Sequence, residues 1–453
     1  MPIAYGGHQG IMNTARQTRQ RRQPRSKTPA VLIFLFLAYA ASTAWLATAA
    51  QGTPDLLSQA DSVFQQMSEL TGLAIKSSLK KQIISRPEVS KYISETLHAE
   101  MTPREIHVQE ATLQAFGLVP ADFNLEKFLV GFYTEQAAGF YDPLRKTMFI
   151  ADWVEPDMQR LVLAHELTHA LQDQNFDLEK FLKAARDDDD ASGARQAVVE
   201  GHATAAMFQE MIAPMKLEDM PTLEPLMAPI IQQQLEEFPS FTHAPFFFRF
   251  QALFPYIEGM GFMQSGLQAG GWKRLNALFD DPPQTTKEIF QPEVYFGKQP
   301  LPKVSLPQPS ALAGVHGLSF LAENTMGEMG YYALLGQLIS EDEAKSVAKQ
   351  WLADRYLLYE KPAAAQANRQ YVLIARTRWS STESALAFFR DYHSILAHKY
   401  PELTADPRSA ADLFIGKAAS GQVILLRKGD ECIWAEGIPA AQSDAMLNWL
   451  NSR

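Results

Sequence analysis

With one cysteine in 453 residues, Cys432, the chain makes no disulfide within itself, and its own core has to hold it together. Flanked by Ile433 and Trp434, that cysteine reads as a buried strand thiol rather than a reactive one. Also missing are a glycine-rich phosphate loop, a nucleophile elbow and an internal repeat. The net charge of −10 excludes a general nucleic-acid binder. Apolar and charged fractions of 46% and 20% are those of a globular protein, and the length suits two or three domains.

Acidic residues are absent ahead of Asp55, whereas residues 14–27 carry Arg16, Arg19, Arg21, Arg22, Arg25 and Lys27. An uncharged segment follows, with an apolar stretch at residues 31–38 and the small-residue sequence Ala47-Thr48-Ala49. That order fits a secretory signal with an A-x-A-like cleavage site. Residues 29–50 are also just long enough to span a bilayer as a retained anchor, with the basic tail, residues 1–28, left in the cytoplasm. No cysteine follows the apolar run, which excludes lipid attachment there. Both alternatives put the remainder in the cell envelope, anchored or secreted.

His165-Glu166-Leu167-Thr168-His169 carries the most chemistry. On a helix four residues advance about 400° and about 6 Å, so His165 and His169 project from one face towards a single metal ion. Glu166 stands one position on, where a general base can take a proton from a zinc-bound water. Pro156 and Asp157 give a helix start, and Leu161, Val162, Leu163, Ala164, Leu167, Ala170 and Leu171 make the helix a buried one. A catalytic zinc takes three protein ligands and keeps one position open. The metzincin third histidine is excluded, because positions 172 and 175 are Gln172 and Asn175. The better candidate is Glu200, on a second helix expected after an acidic loop from Asp187 to Gly193.

The stretch HELTHALQD, His165 to Asp173, resembles the zinc helix of gluzincin metallopeptidases of the thermolysin kind. The longer stretch from Glu135 to Asp177, with EQAAGFYDP and HELTHALQDQNFDL, is similar to bacterial envelope proteins predicted to be zinc peptidases. The resemblance implies His165, His169 and Glu200 as ligands of Zn2+ and Glu166 as the base. Asp173 fits that pattern, one turn after His169. Thr204 departs from it: the family places an aspartate four residues after the ligand glutamate, to orient a zinc histidine. His202 falls on another face of its helix and reads as a polar neighbour.

The expected fold class is α+β: a mainly helical zincin-like core with a small sheet before the zinc helix, then a smaller α+β C-terminal domain. Residues 51–125 read as helical, and residues 126–298 as the metallopeptidase core. Phe128 to Tyr133 reads as a strand, Phe140 to Pro143 as a turn and Thr147 to Ala151 as a strand, which would pair an extended substrate backbone. Residues 208–290 are helical and aromatic, with His243 and Tyr256 as candidate donors to an oxyanion. Residues 299–312 form a proline-rich linker. In residues 313–453, helices are expected over 324–338, 341–351 and 381–398 and from 440, and strands over 371–379, 422–427 and 431–434. His98 and His107 read as surface residues, and His316, His393 and His398 as structural or surface ones.

The reading that follows is zinc-dependent hydrolysis of a peptide or protein substrate, with Glu166 as base. The alternative is a zinc-containing envelope scaffold or assembly factor without catalysis. A third reading is hydrolysis of a non-peptide amide in the cell wall.

Overall fold

The computed structural model describes residues 56–453 except 154–155, 237, 314 and 362–368, so the basic tail and the signal or anchor segment lie outside the described residues. Among the described residues no helix is long and apolar enough to cross a membrane. The fold is α+β. It opens with α1 (Leu56–Thr71), β1 (Lys80–Ile84), α2 (Arg86–Glu100), α3 (Pro103–Phe116) and α4 (Leu125–Gln136). Helices α2 and α3 begin with capping boxes, Ser85 with Glu88 and Thr102 with Glu105, each followed by proline in the first turn.

Helix α4 overturns the strand expected from Phe128 to Tyr133. Its aromatic run favours a strand locally, but the residues it buries, Leu125, Leu129, Phe132 and Gln136, recur three or four apart. Asn124 fixes the start by accepting from Lys127 N at 2.8 Å. A hairpin of β2 (Gly139–Asp142) and β3 (Thr147–Ala151) follows. With β1 it forms a small sheet in the order β1-β3-β2, where β1 is parallel to β3 and β2 antiparallel to it. The strand directly before the histidine-bearing helix is therefore the middle strand, already paired on both sides. The face of β2, an outer strand, packs on that helix: a Cβ placed on Gly139 would sit 2.7 Å from Val162 Cγ1 and 3.6 Å from Glu166 Cγ.

Next come α5 (Pro156–Phe176), α6 (Leu178–Lys183) and α7 (Asp189–Ile212). Helix α5 is buried on every side from Val162 to Asp173, so each polar group along it has to find its partner inside the protein. The acidic stretch is shorter as a loop than expected, because Asp188 caps α7 and Asp189 to Gly193 already lie in the helix. Beyond it run α8 (Glu224–Leu235), α9 (Pro239–Thr242), α10 (Phe246–Asn276), α11 (Thr286–Phe290) and α12 (Pro292–Phe296), in agreement with the helical reading of residues 208–290. Helix α10 breaks at Gly270 and Gly271, the latter at φ +66°, which re-aims its last turn. It crosses α7 at two glycines. A Cβ on Gly201 would lie 2.7 Å from the Gly259 carbonyl carbon, and one on Gly259 would lie 2.8 Å from Ala197 O.

The C-terminal part contains β4 (Ser319–Asn324), α13 (Gly327–Leu335), α14 (Glu341–Ala348), β5 (Trp351–Glu360), β6 (Tyr371–Trp379), α15 (Thr382–Lys399), β7 (Thr404–Ala405), β8 (Leu413–Ala418), β9 (Gly421–Lys428), β10 (Glu431–Ile438) and α16 (Ser443–Asn451). Its strands form one antiparallel sheet in the order β4-β5-β6-β10-β9-β8-β7. One face, with Leu373, Leu425 and Trp434, shares a core with α15 and with the preceding helices. The other, with Ile374, Ile424 and Ile433, packs on α16. Two helix expectations shift here, since Asn324 ends a strand and Trp351 begins one. The proline-rich stretch is extended but packed: Leu306 and Leu312 are buried in the second core. Cys432 lies buried in β10, its Sγ donating to Ala385 O at 3.3 Å, with burial pushing the thiol pKa up.

Carboxylates gather where the two parts meet, and Asp188 and Asp189 cross between them. Asp190 accepts from Thr286 N at 2.8 Å and from its hydroxyl, and Asp189 accepts from Asn324 Nδ2. Asp188 accepts from Thr325 Oγ1 at 3.2 Å, and Asp354 from the N–H groups of Met326 and Gly327 at 2.9 and 3.0 Å. Burial, reinforced by the charge of Asp188, pushes Asp189 up to about 8 and Asp354 up to about 7, against the pull of these hydrogen bonds. Asp190 is raised well above its ordinary value for the same two reasons.

Two outcomes are expected. Gly259→Ala should destabilise the fold by about 1–3 kcal/mol, because α7 cannot move aside without disturbing Glu200; an unchanged denaturation midpoint would show that the close crossing does not matter. The raised aspartates stay protonated when folded, while the unfolded chain ionises near the usual aspartate value, so stability falls as pH rises from about 4 towards about 8. Asp190→Asn should flatten that decline in urea unfolding measured across the window. Equal pH slopes for the variant and the natural chain would remove Asp190 from the explanation.

Candidate metal centre

Helices α5 and α7 bring together what the sequence separates by a whole loop and helix. His165 Nε2, His169 Nε2 and Glu200 Oε2 meet at 3.0 Å between the histidines, 3.1 Å from His165 to Glu200 and 3.4 Å from His169 to Glu200. Among the described residues these three side chains make a group that could hold a metal ion. Zinc bonds of about 2.0–2.1 Å in a tetrahedron put neighbouring ligand atoms roughly 3.3 Å apart, so the three donors already sit at the spacing the ion requires. The donor set of two imidazoles and a carboxylate suits zinc chemically.

Burial sharpens the electrostatics. Glu200 is 1% exposed, yet both histidines outweigh the desolvation of its charge and hold its carboxyl at about 2. Burial, aided by the neighbouring His169, lowers His165 to about 4 against the attraction of Glu200. For His169 burial acts in the same direction but is overcome by Glu200, Glu166 and the Gln172 hydrogen bond, which raise it. The cluster thus keeps its carboxylate ionised and at least one imidazole neutral, the states a cation needs in its ligands.

Glu166 projects from the same helix and is 0% exposed. Tyr256, from α10, lies over His165 with ring centroids 6.0 Å apart. Burial and the charges of Glu200 and Glu166 push its pKa far up, so the phenol keeps its proton and remains a donor. Of the two expected oxyanion donors, only Tyr256 reaches this place. His243 ends α9, where its Nδ1 lies 2.7 Å from Pro239 O, and it lines a cavity of about 710 Å³ with Leu118, Leu338 and Tyr371 instead. Tyr133, read as part of a strand, sits close enough for the Glu200 charge to help burial push it up to about 12.

The remaining candidates divide by role. Asp173 accepts from Tyr141 Oη at 2.7 Å and Lys146 Nζ at 2.6 Å, which ties α5 to the β2–β3 hairpin rather than to a ligand histidine. The Thr204 hydroxyl is buried without a hydrogen-bond partner, so it does not replace the expected aspartate. His202 stands outside the ligand group, bonded to Gln172 at 3.2 Å and to Asn276 at 3.0 Å. Gln172 also holds His169, its Oε1 lying 2.9 Å from the ring Nδ1. The sequence reading missed Gln172, although its position three residues after His169 puts it on the same helix face. His98 is exposed as expected, whereas His107 is half-buried between Glu360 and Arg369.

Residues 318–447 match DUF8575, a domain of unknown function, which covers the C-terminal sheet and not the helices that carry the centre. No curated protein and no solved structure matches the chain.

Zinc at about 100 times its Kd should stabilise the folded protein by about 2.7 kcal/mol, visible as a rise in melting temperature that a chelator reverses. Glu200→Ala should abolish most of that rise. A shift of equal size in this variant would take Glu200 out of the ligand set.

Proposed function

We propose that the protein is a zinc-dependent peptide hydrolase of the bacterial cell envelope, with a zincin-like core. The observation that carries this reading is the convergence of His165, His169 and Glu200 at 3.0 to 3.4 Å, with Glu166 one residue along the same helix. Bound zinc would supply a Lewis acid for a scissile carbonyl and bring the pKa of a water towards about 7. Glu166 takes the proton of the attacking water and passes it to the leaving amine. Tyr256, kept protonated, donates to the oxygen that gains charge. Strand β2 is an outer strand beside Glu166; it is buried along its length, and once the site opens its outer side would suit main-chain pairing with an extended peptide, which supports a peptide substrate over a small amide. The N-terminal segment would deliver the protein to the far side of the membrane, either retained at residues 29–50 or cleaved.

One observation favours the second reading, a zinc-containing scaffold without turnover. His165, Glu166 and His169 are each 0% exposed. A peptide reaches Glu166 only after side chains above it move, so the structure is that of a closed site. A scaffold needs no such opening.

The test is cleavage of a peptide library by the full-length chain, with a chelator and with Glu166→Gln as controls. Turnover is expected to fall by at least about a thousandfold in the variant, while the zinc content stays unchanged. Full activity in Glu166→Gln would end its role as base. Stoichiometric zinc without cleavage of any peptide would favour the scaffold.

A further inference from the structure

Side chains behind the centre form a directional chain of hydrogen bonds. Two main-chain carbonyls, which can only accept, fix its polarity. Gln172 Nε2 lies 2.9 Å from Val199 O, so the group placed there must be the NH2 of the amide. A flipped amide would set two oxygens against each other. Gln172 Oε1 therefore faces His169 Nδ1, 2.9 Å away, and that nitrogen must carry a proton to be bonded.

The same logic runs from the far end. Asn276 Nδ2 donates to Thr71 O at 2.9 Å, which turns its Oδ1 towards His202 Nε2 at 3.0 Å. His202 Nε2 must then be the protonated nitrogen, leaving Nδ1 to accept from Gln172 Nε2 at 3.2 Å. Two donor hydrogens on Gln172 satisfy Val199 O and His202 Nδ1, and its oxygen is satisfied by His169. Trp272 and Phe279 hold the His202 ring edge-on, with centroids 5.4 and 5.7 Å away.

We propose that Gln172, His202 and Asn276 form a positioning relay that fixes His169 in its Nδ1–H tautomer, so that its Nε2 lone pair points at His165 and Glu200. As a device for a metal ligand, the relay rests on the zinc reading above; as a tautomer assignment it does not. It draws on four elements. Thr71 ends α1, Gln172 lies on α5, Val199 and His202 on α7, and Asn276 ends α10 beyond the break at Gly270 and Gly271. The relay thereby supplies an orienting partner where position 204 has no aspartate, acting on His169 through a neutral amide. A neutral partner orients the ring without adding charge to the site.

The experiment is two-bond 1H–15N correlation NMR on the metal-free full-length chain labelled with 15N-histidine, recorded at alkaline pH so that the imidazoles are neutral, followed by zinc titration. In the natural chain His169 is expected as the Nδ1–H form and His202 as the Nε2–H form, assigned by the signals lost in His169→Gln and His202→Gln. Gln172→Met, close in shape but without an amide, should release His169 into a mixture of tautomers and weaken zinc binding by about 10–100-fold. An Nε2–H tautomer or a mixture at His169 in the natural chain would overturn the relay, whether or not Gln172→Met folds. So would a Gln172→Met spectrum with His169 unchanged. If the tautomers are as stated and zinc does not bind, the relay stands and the zinc reading falls.

Discussion

A carboxylate buried as deeply as Glu200 stays ionised only if positive or polar partners replace the water it has lost, at a desolvation cost of several kcal/mol. Here the partners are His165 and His169 on the neighbouring helix, and nothing longer than about 3.4 Å separates the three donor atoms. That requirement fixes the register of α5 against α7. It also explains why the crossing of α7 and α10 is so close: a glycine on each helix lets the backbones meet, one residue from Glu200 and three from Tyr256. A larger residue at either point would separate groups that only work within hydrogen-bond reach.

The surrounding polar groups follow from the burial of α5 on all sides. Three of them have clear internal destinations: Thr168 donates to Ala164 O at 2.7 Å, Asp173 holds the hairpin through Tyr141, and Gln172 connects the centre to α7 and α10. The C-terminal sheet meets this assembly at the start of α7. Its contacts, Asn324, Thr325 and the β4–α13 turn, receive the aspartates that cap that helix. The position of Glu200 thus depends at one end on the C-terminal part, although that part contributes no ligand to the centre.

Where sequence and structure part company, the reasons are local. Phe128 to Tyr133 has the composition of a strand, but the burial of Leu125, Leu129 and Phe132 on one side decided for a helix. Strands β1, β4, β5, β7 and β8 went unread, and the turn expected from Phe140 to Pro143 is strand β2 as far as Asp142; β1 in particular draws its meaning from a distant partner, since it pairs with β3 across more than sixty residues. The proline-rich stretch was extended, as its composition demands, yet two leucines anchor it to the sheet. For the site, His243 and Tyr256 looked alike as donors in the sequence. Only the path of α10 placed one at His165 and left the other beside a separate cavity.

The sequence by itself determined the spacing of His165, Glu166 and His169, because helix periodicity is a local property that any four-residue interval on a helix must obey. It determined the apolar context of that helix, the buried strand setting of Cys432 and the helical character of residues 208–290, all of which follow from short-range pattern. Tertiary structure decided which strand lies beside Glu166, which tyrosine faces the carboxylates, and which amide sets the tautomer of His169. Those choices depend on groups as far apart in the chain as Thr71 and Asn276, and no local preference encodes a hydrogen bond between them.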